Sequence, residues 1–369
     1  MRVALITNIP APYRIPAWNI VGDLMKDDFM VFFCSHTEPN RNWTLPEMTF
    51  RHVFLKEHYF LKKDNITAVH NNRDIFPQLR AFKPDIVITG GFNPTMLYGF
   101  LSARLRGKKH IATTDAWLRS EMNLGTLHRM IRKIVYKSSA ALFPCSLKGR
   151  DYFKHYGCRE EDIFISHYSI DVAKFSNHTG FNARPYDLLF SGQFIERKNP
   201  LFFVQVVKKI SRQYPALKVL LLGNGPLKED ILRELDNAGI QYNYPGYAKQ
   251  EELPHYYSQS RIFLFPTEYD AWGVVAHESL AAGTPVITTP EAGCADELVL
   301  NRENGYILPL DQDAWVSACL SLLNDPQQWE KFSEKGKTTA SQINSAKSAS
   351  AMISAFEHVG KVNLRKNNG

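Results

Sequence analysis

The sequence predicts an α/β protein with two parallel sheets, and three observations carry the prediction. Short apolar runs of strand length alternate with segments of helical periodicity along most of the 369 residues. Such alternation is the pattern of strand–helix–strand units, whose strands pair in parallel. It lapses near residues 172–186, where the chain reads as a loop, and then restarts. A chain of 369 residues is also longer than a domain with a single hydrophobic core usually is. We therefore expect two α/β arrays, each a series of alternating strands and helices, joined at that loop.

The first array contains five short apolar runs that are expected to be strands, with helical segments between them. The predicted strands are Val3–Thr7, Met30–Cys34, Ile86–Thr89, His110–Thr113 and Ala141–Phe143. The clearest predicted helices are Arg14–Met25 and Thr95–Leu105.

The second array repeats the pattern. Its predicted strands are Leu188–Ser191, Lys218–Leu222, Ile262–Phe265 and Val286–Thr288. Its predicted helices are Leu201–Tyr214, Leu227–Ala238, Glu251–Ser258 and Val274–Ala282, and an amphipathic helix is expected at Ser345–Val362. Ligands of open parallel sheets bind beyond the carboxyl ends of the strands. Residues that directly follow strands are therefore the candidates for function.

Composition narrows the class of protein. Hydrophobic residues make up 44% and charged residues 22%, which is typical of a globular protein. The apolar run Val3–Ile6 is too short for a signal-peptide core, and no run of 18 apolar residues occurs. The five cysteines are scattered without CxxC spacing, so neither a disulfide framework nor a zinc site is expected. A cytoplasmic protein fits these features.

The net charge of +7 points to anionic partners. The three classes of anionic partner are nucleic acid, an anionic membrane surface and phosphorylated substrates, and no nucleic-acid partner is expected. Lysines and arginines are spread along the chain. They concentrate in RLRGKKH at 104–110 and HRMIRKIVYK at 128–137, where apolar residues separate them. This pattern suits a helix lying on an anionic membrane surface, with Arg129, Arg132 and Lys133 as contacts, or equally a solvated helix face.

The strongest candidate site follows the strand that ends at Phe265. The stretch PTEYDAWGVVAHESLAAGTPV starts at Pro266, and a helix is expected from Val274. Amide groups at such a helix start favour phosphate or sugar oxygens, and Gly273 permits close approach. Glu278 can accept two hydrogen bonds from a vicinal diol such as ribose. The structural alternative makes Asp270 a helix cap and Glu278 an exposed helix residue.

Several motifs together resemble those of family 4 retaining glycosyltransferases, which have the GT-B fold of two Rossmann-like domains facing across a cleft. DAWGVVAHE at 270–278 is similar to the E-x7-E motif of the family. FSGQFIERKNP at 190–200 resembles its G-R-L-x-x-x-K segment, and LLGNGP at 221–226 its GxGP turn. The run at 293–309 resembles its G…E…NG stretch, and the likeness covers most of residues 187–325.

The resemblance implies roles for single residues. Glu278 would bind the donor ribose, Asp270 a hydroxyl of the transferred sugar, and Lys198 the donor diphosphate. Lys198 also has a chemical reason to be there, because a cation stabilises charge on a departing diphosphate. Two departures are Asp270, where the family has Glu, and Gln193, where it has Arg; Arg197 is a candidate replacement cation. The remaining donor-binding candidates are Gly192, Gly246, Tyr247, Trp272, Gly273 and Val274.

The first array offers a second group of candidates. Gly90 and Gly91 end a strand where a ligand can approach closely, although a tight turn explains them as well. Asp115 stands where relatives often carry a sugar-contacting His, and we count it with Lys198 and Asp270 as a catalytic candidate. Arg14, after the first strand, is a candidate for the acceptor or sugar. The alternative for Asp115 is a helix or turn cap, and the alternative for Arg14 is an arginine at a helix start with no ligand.

The resulting prediction is an acceptor-binding domain at 1–178, a nucleotide-sugar-binding domain at 179–344, and a helix at 345–369 returning to the first domain. The resemblance implies retaining transfer of a hexose-type sugar from a UDP- or GDP-sugar to a glycan or polyprenyl-linked acceptor in cell-surface polysaccharide synthesis. No cofactor or metal is expected, since Asp311-Gln-Asp313 reads as a helix cap. An epimerase, a phosphorylase and a non-catalytic nucleotide-sugar binder are the rivals on the same fold.

Overall fold

The computed structural model describes residues 1–39, 41, 43–62, 68–176 and 179–366. The chain divides into two compact units, one formed by Met1–Ser169 with Ser345–Gly369 and the other by Ile170–Asn344. The first unit thus ends nine residues before the predicted boundary at 178. The reason is local: Phe175 packs on Tyr257 of the second unit, with ring centroids 6.2 Å apart.

The first unit is built on a parallel sheet of six strands. Its elements in chain order are β1 Val3–Thr7, α1 Ile15–Met25, β2 Phe29–Phe33, β3 Arg51–Phe54, β4 Tyr59–Leu61, β5 Ala68–His70, α2 Ile75–Phe82, β6 Ile86–Gly90, α3 Pro94–Leu105, β7 Lys109–Thr114, α4 Thr126–Ser138, β8 Ala141–Pro144 and α5 Leu147–His155. The sheet order is β3-β2-β1-β6-β7-β8, and β4 and β5 form a separate antiparallel pair.

Alternate residues of the first sheet enter two separate cores. Val3 and Leu5 of β1 join the core that contains α1, whereas Ala4 and Ile6 join the core that contains α2 and α3. Because successive side chains of a strand point to opposite faces, both faces of this sheet are covered by helices. This is why its central strands read as continuous apolar runs.

The second unit repeats the architecture with its own six-stranded parallel sheet. Its elements are β9 Tyr186–Ser191, α6 Pro200–Ser211, β10 Lys218–Leu222, α7 Lys228–Asn237, β11 Gln241–Gly246, α8 Leu253–Ser258, β12 Ser260–Phe265, α9 Val274–Ala281, β13 Val286–Thr288, β14 Gly305–Ile307, α10 Gln312–Asn324 and α11 Pro326–Gln342. The sheet order is β11-β10-β9-β12-β13-β14. Two parallel-sheet α/β units confirm the predicted fold class.

The last helix, α12 Ser345–Lys366, belongs to the first unit. Its residues Met352 and Phe356 are buried in the same core as Trp18 of α1. Ser348 also donates its hydroxyl hydrogen bond to the carbonyl of His167 over 2.9 Å. The helix therefore completes a core whose other members come from the first 169 residues of the chain.

Each sheet reverses its strand order at one point, and such points are where open α/β sheets bind ligands. In the first sheet the reversal lies between β1 and β6; in the second it lies between β9 and β12. The predicted donor-binding loops follow β9 and β12, and the predicted acceptor residues follow β1, β6 and β7. The topology thus places Lys198 and Asp270 at one switch point and Arg14, Gly90 and Gly91 at the other, with Asp115 one strand further along the first sheet.

Gly223 and Gly225 pack the turn after β10 against the loop after β9. A Cβ on Gly223 would lie 1.8 Å from the carbonyl oxygen of Gly192, and one on Gly225 would lie 2.5 Å from that of Phe194. Both have φ in the left-handed region that glycine favours, at 137° and 158°. This close approach of two backbones gives GNG a packing role, in line with the turn predicted from sequence.

Candidate functional site

Lys198 and Asp270 form an ion pair at the switch point of the second sheet. Lys198 lies in the loop after β9, and Asp270 in the loop after β12, the strand paired with β9. The loops are tied together by the amide of Glu268, which donates to the carbonyl of Arg197 over 2.9 Å. The side chains of Lys198 and Asp270 are 13% and 15% exposed, so the pair can contact a ligand while remaining largely shielded from water.

Burial and the neighbouring charges shift the pKa of each member of this pair in opposite directions. Burial lowers the pKa of Lys198 below its usual range, although the Asp270 carboxylate opposes the shift. Burial would raise the pKa of Asp270, but Lys198 and Arg197 hold it below the usual range. Arg197 lies 3.5 Å from the same carboxylate and donates to the carbonyl of Tyr269 over 2.8 Å. Two cations therefore converge on one carboxylate, a cluster with a net positive charge suited to phosphate.

The start of α9 combines a capping role and open amides. Asp270 accepts a hydrogen bond from the amide of Trp272 over 3.1 Å, so it is both a local cap and a partner of Lys198. Trp272 is itself buried. Gly273 adopts φ 98°, and a Cβ there would lie 2.9 Å from the Phe265 ring. The amides of Gly273, Val274 and Val275 have no acceptor among the residues that the structure describes, and they are available to an anion or a sugar oxygen.

Glu278 is buried, which contradicts the alternative that it is an exposed helix residue. Its Oε2 accepts a hydrogen bond from the Tyr257 hydroxyl over 3.1 Å, and that hydroxyl lies 3.0 Å from Oγ of Ser191, the last residue of β9. Burial raises the pKa of Glu278 to about 7, and the Tyr257 hydrogen bond opposes the shift. Sequence reasoning missed both partners. The sequence signal for this contact was Ser191, a polar residue at the end of a buried strand.

The other donor-binding candidates line the same edge of the second sheet. Gly192 has φ 150° at the end of β9, and Gly246 has φ 87° at the end of β11. Apart from the adjoining residues of the chain, no atom of the described residues lies within 4 Å of a Cβ built on either glycine, so the backbone is open to a ligand there. Gln193 is partly exposed beside Gly192, and Tyr247 is 56% exposed.

The candidates of the first unit gather at a cavity of about 230 Å³ at the ends of β1, β6 and β7. Arg14 donates to the Tyr168 hydroxyl over 2.9 Å and stacks on its ring at 4.4 Å. The same hydroxyl donates to Asp115 Oδ2 over 3.2 Å. Gly90 and Gly91 line the cavity, and Gly91 has φ 85° with open space around it. Asp115 thus lies in the first unit and Lys198 in the second.

The described part of the chain contains no group of three or more His, Cys, Asp or Glu residues placed to hold a metal ion. Asp311, the first residue of the DxD, accepts a hydrogen bond from the amide of Ala314 over 2.8 Å and caps α10. Asp313 pairs with Lys209. The DxD is accounted for by these two contacts.

Helix α4 exposes apolar and basic residues together. Leu127, Met130 and Ile134 are 61%, 53% and 53% exposed and lie three and four residues apart, on one face. Arg129 and Lys133 are exposed beside them. Arg132 is a correction to the predicted lipid contacts, because it is buried and its guanidinium binds the Glu121 carboxylate. As for spanning segments, no described helix has the length and apolarity needed to cross a bilayer.

A comparison with known protein families matches nearly the same residues as the second unit. The Glycosyl transferases group 1 family matches residues 171–339, which is nearly all of the second unit. A glycogen synthase from Mycobacterium tuberculosis is 25% identical over 228 residues, covering 58% of this chain and 54% of the relative. The putative colanic acid biosynthesis glycosyltransferase WcaL of Salmonella typhimurium is 24% identical over 194 residues, covering 50% and 47%. The chain spans about half the length of these curated relatives.

Structure comparison extends the likeness to both units. HepE from Anabaena, solved in complex with UDP, has a TM-score of 0.77 at 11% identity and covers 97% of this chain and 100% of that one. Sucrose-phosphate synthase from Thermosynechococcus elongatus has a TM-score of 0.73 at 16% identity, covering 98% and 100%. The chain has the GT-B fold, and its residues 171–339 match the Glycosyl transferases group 1 family.

Proposed function

We propose that this protein is a retaining glycosyltransferase of family 4 that moves a hexose-type sugar from a nucleotide-sugar donor to a glycan or lipid-linked glycan. The observation that carries the proposal is the cluster of Lys198, Arg197 and Asp270 at the β9–β12 switch point of a glycosyltransferase group 1 domain, with buried Glu278 on the adjoining helix. Polysaccharide synthesis at the cell surface is the process we infer, and the similarity to WcaL, a putative colanic acid biosynthesis glycosyltransferase, supports it.

The donor would lie along the edge formed by the loops after β9 and β12. Lys198 and Arg197 would meet the diphosphate, and the amides at the start of α9 would bind phosphate or sugar oxygens. Asp270 would exchange its contact with Lys198 for a sugar hydroxyl once the diphosphate is present. Glu278 would accept the ribose hydroxyls. UDP in the structure of HepE supports a uridine nucleotide as the first donor to test.

Retention implies attack on the face from which the diphosphate leaves. The bond between the anomeric carbon and the phosphate oxygen breaks, and the acceptor oxygen forms the new bond to that carbon. The acceptor hydroxyl gives its proton to the departing phosphate oxygen, so no protein base is required. Lys198 stabilises the negative charge that develops on the diphosphate.

Glu278 makes donor binding depend on pH. Its pKa of about 7 lies above the ordinary value because of burial, so the carboxyl is largely protonated below that pH. The ionised form offers a charged acceptor at both oxygens to the two hydroxyls of a diol, whereas protonation turns one oxygen into a donor and removes the charge. We therefore expect UDP affinity, measured by calorimetry, to rise about threefold to tenfold between pH 6 and pH 8. Glu278→Gln should bind UDP more weakly and without this rise; an equal rise in the variant would refute the assignment.

We further propose that α4 holds the enzyme on the inner face of the cytoplasmic membrane, where a polyprenyl-linked acceptor would be found. Each cation near an anionic surface contributes about 1 kcal/mol. Replacing Arg129 and Lys133 by Gln should weaken binding to phosphatidylglycerol vesicles about 30-fold, as measured by sedimentation. The matched control is Arg212→Gln with Lys331→Gln, two exposed cations of the second unit. An equal loss of vesicle binding in both double variants would show that α4 is not the membrane-binding element.

The decisive test is a panel of UDP- and GDP-hexoses measured by thermal shift and then by product formation with and without acceptor. A ligand that binds the folded state alone stabilises it by about 2.7 kcal/mol at a hundredfold excess over Kd. Transfer with net retention supports the proposal. Conversion of the donor without acceptor would establish an epimerase, dependence on added pyridoxal phosphate a phosphorylase, and binding without turnover a non-catalytic binder.

A further inference from the structure

The fold holds Tyr257 at both its ring and its backbone. The side chain is buried, and its ring centroid lies 6.2 Å from that of Phe175 and 5.9 Å from that of Phe263. Its carbonyl accepts hydrogen bonds from the hydroxyl of Thr284 over 2.7 Å and from the guanidinium of Arg184 over 3.3 Å. Because the ring and the backbone are both fixed, the position of the Tyr257 hydroxyl is set by the fold.

The Tyr257 hydroxyl lies between two polar groups and can donate to only one of them at a time. It is 3.1 Å from Oε2 of Glu278 and 3.0 Å from Oγ of Ser191. Burial raises the pKa of Tyr257 well above its usual range, so the hydroxyl keeps its hydrogen near neutral pH. An ionised carboxylate is the stronger acceptor of the two. When Glu278 is ionised, Tyr257 therefore donates to it, and Ser191 is free to donate to Tyr257.

Glu278 has one oxygen held by Tyr257 and one that a ligand can use. Oε2 accepts the tyrosine hydroxyl, whereas Oε1 accepts no hydrogen bond from the described residues. The elements packed against α9 are α8, α11, β12, β13 and the turn 172–175. Among their described residues, Tyr257 is the titratable or charged group that acts on the pKa of Glu278. The state of this carboxyl thus depends on burial and on one hydrogen bond.

We infer that Tyr257 is a positioning residue that holds the Glu278 carboxylate for a vicinal diol, and that it thereby makes the site prefer ribose to 2′-deoxyribose. The ribose preference rests on the proposed function, whereas the action of Tyr257 on Glu278 does not. A carboxylate held at one oxygen presents its acceptors in a fixed direction, which two neighbouring hydroxyls can meet together. Without that hydrogen bond the carboxylate is free to turn toward a single hydroxyl.

The first test follows the Glu278 carboxyl in the whole protein without ligand, by NMR of glutamate labelled at its carboxyl carbon. The signal is identified by its absence from Glu278→Gln. We expect a midpoint of about 7 in the parent and a midpoint about one pH unit higher in Tyr257→Phe. Phenylalanine keeps the ring packing but removes a hydrogen bond that favours the ionised form, so the pKa of Glu278 must rise.

Tyr256→Phe is the matched control for the titration, because it makes the same change at the preceding residue of α8, which is partly exposed. Its Glu278 midpoint should equal that of the parent. A loss of ring packing alone would lower the stability of Tyr257→Phe without moving the midpoint. An unchanged midpoint in Tyr257→Phe therefore overturns the inference.

The second test compares the binding of UDP and 2′-deoxy-UDP by calorimetry at about pH 9, where Glu278 is largely ionised in both proteins. The parent should bind UDP roughly tenfold more tightly than the deoxy analogue, and Tyr257→Phe only about twofold to threefold more tightly. In a Glu278→Gln background, replacing Tyr257 should leave the preference unchanged, because the tyrosine acts through the carboxylate.

The two tests separate the possible failures. A tenfold ribose preference that persists in Tyr257→Phe overturns the specificity role of Tyr257. If the parent binds neither nucleotide, the donor proposal and the ribose preference fail together. The titration needs no nucleotide, so it decides in either case whether Tyr257 acts on Glu278.

Discussion

Lys198→Ala is expected to lower kcat about 100- to 1000-fold while leaving the fold intact. The ammonium group is the most enclosed cation at the β9–β12 switch point, and it is held there by Asp270. Removing one group aimed at charge that develops in the transition state typically costs about 3–4 kcal/mol. Because the charge on the diphosphate grows as the sugar leaves, kcat should fall more than the affinity for the donor.

Lys208→Ala is the matched control for this measurement. Lys208 forms an ion pair with Glu234 at 2.8 Å between two surface helices and lies away from the switch point. Its loss should leave kcat unchanged. Asp270→Asn distinguishes the role of the carboxylate from that of the cation, since it removes the ion-pair partner of Lys198 but keeps the lysine. A kcat for Lys198→Ala within threefold of the parent would show that the lysine has only a packing role.

Arg184→Met is expected to destabilise the second unit by about 3–5 kcal/mol. Arg184 is 1% exposed and donates to the carbonyls of Thr179 and Ser260, each over 2.7 Å, and to that of Ala282 over 3.0 Å. It also donates to Thr284 Oγ1 over 2.6 Å. Burial lowers its pKa to about 9. Methionine would fill the space but leave several buried carbonyls without donors.

Urea unfolding monitored by circular dichroism measures the effect as a shift of the midpoint at constant slope. Arg184→Lys should recover only part of the loss, because an ammonium cannot reproduce the planar fork of a guanidinium. Arg212→Met, at an exposed arginine of the same unit, is the control and should change the free energy of unfolding by less than about 0.5 kcal/mol. A cost below about 1 kcal/mol for Arg184→Met would contradict this account.

Sequence periodicity located the buried strands but missed strands at or near the sheet edges. β1, β9 and β12 are almost wholly buried, so their apolar runs are continuous. β11 alternates between exposed and partly buried residues and contains a proline, and β3 has one exposed and three partly buried residues. An edge strand is held mainly by its hydrogen bonds to one neighbour, which leave no hydrophobic pattern in the sequence.

The candidate site divides in the same way. Lys198, Asp270 and Glu278 were found because they occupy fixed spacings after strands. Tyr257 was missed because its role depends on a long-range contact, since it meets Glu278 across the α8–α9 packing. Arg184, outside the site, was missed for the same reason, because it binds the carbonyl of Ala282, 98 residues away. A local sequence pattern cannot predict such a contact, because the two residues are brought together only when the chain folds.

The position of α12 sets an order of events during synthesis on the ribosome. Its residues Met352 and Phe356 complete a core whose other members come from the first 169 residues. That core stays partly uncovered until α12 has been made, whereas residues 170–344 precede α12 and form a core of their own. Nascent chains released before residue 345 should therefore carry a mature second unit beside a first unit that attracts chaperones.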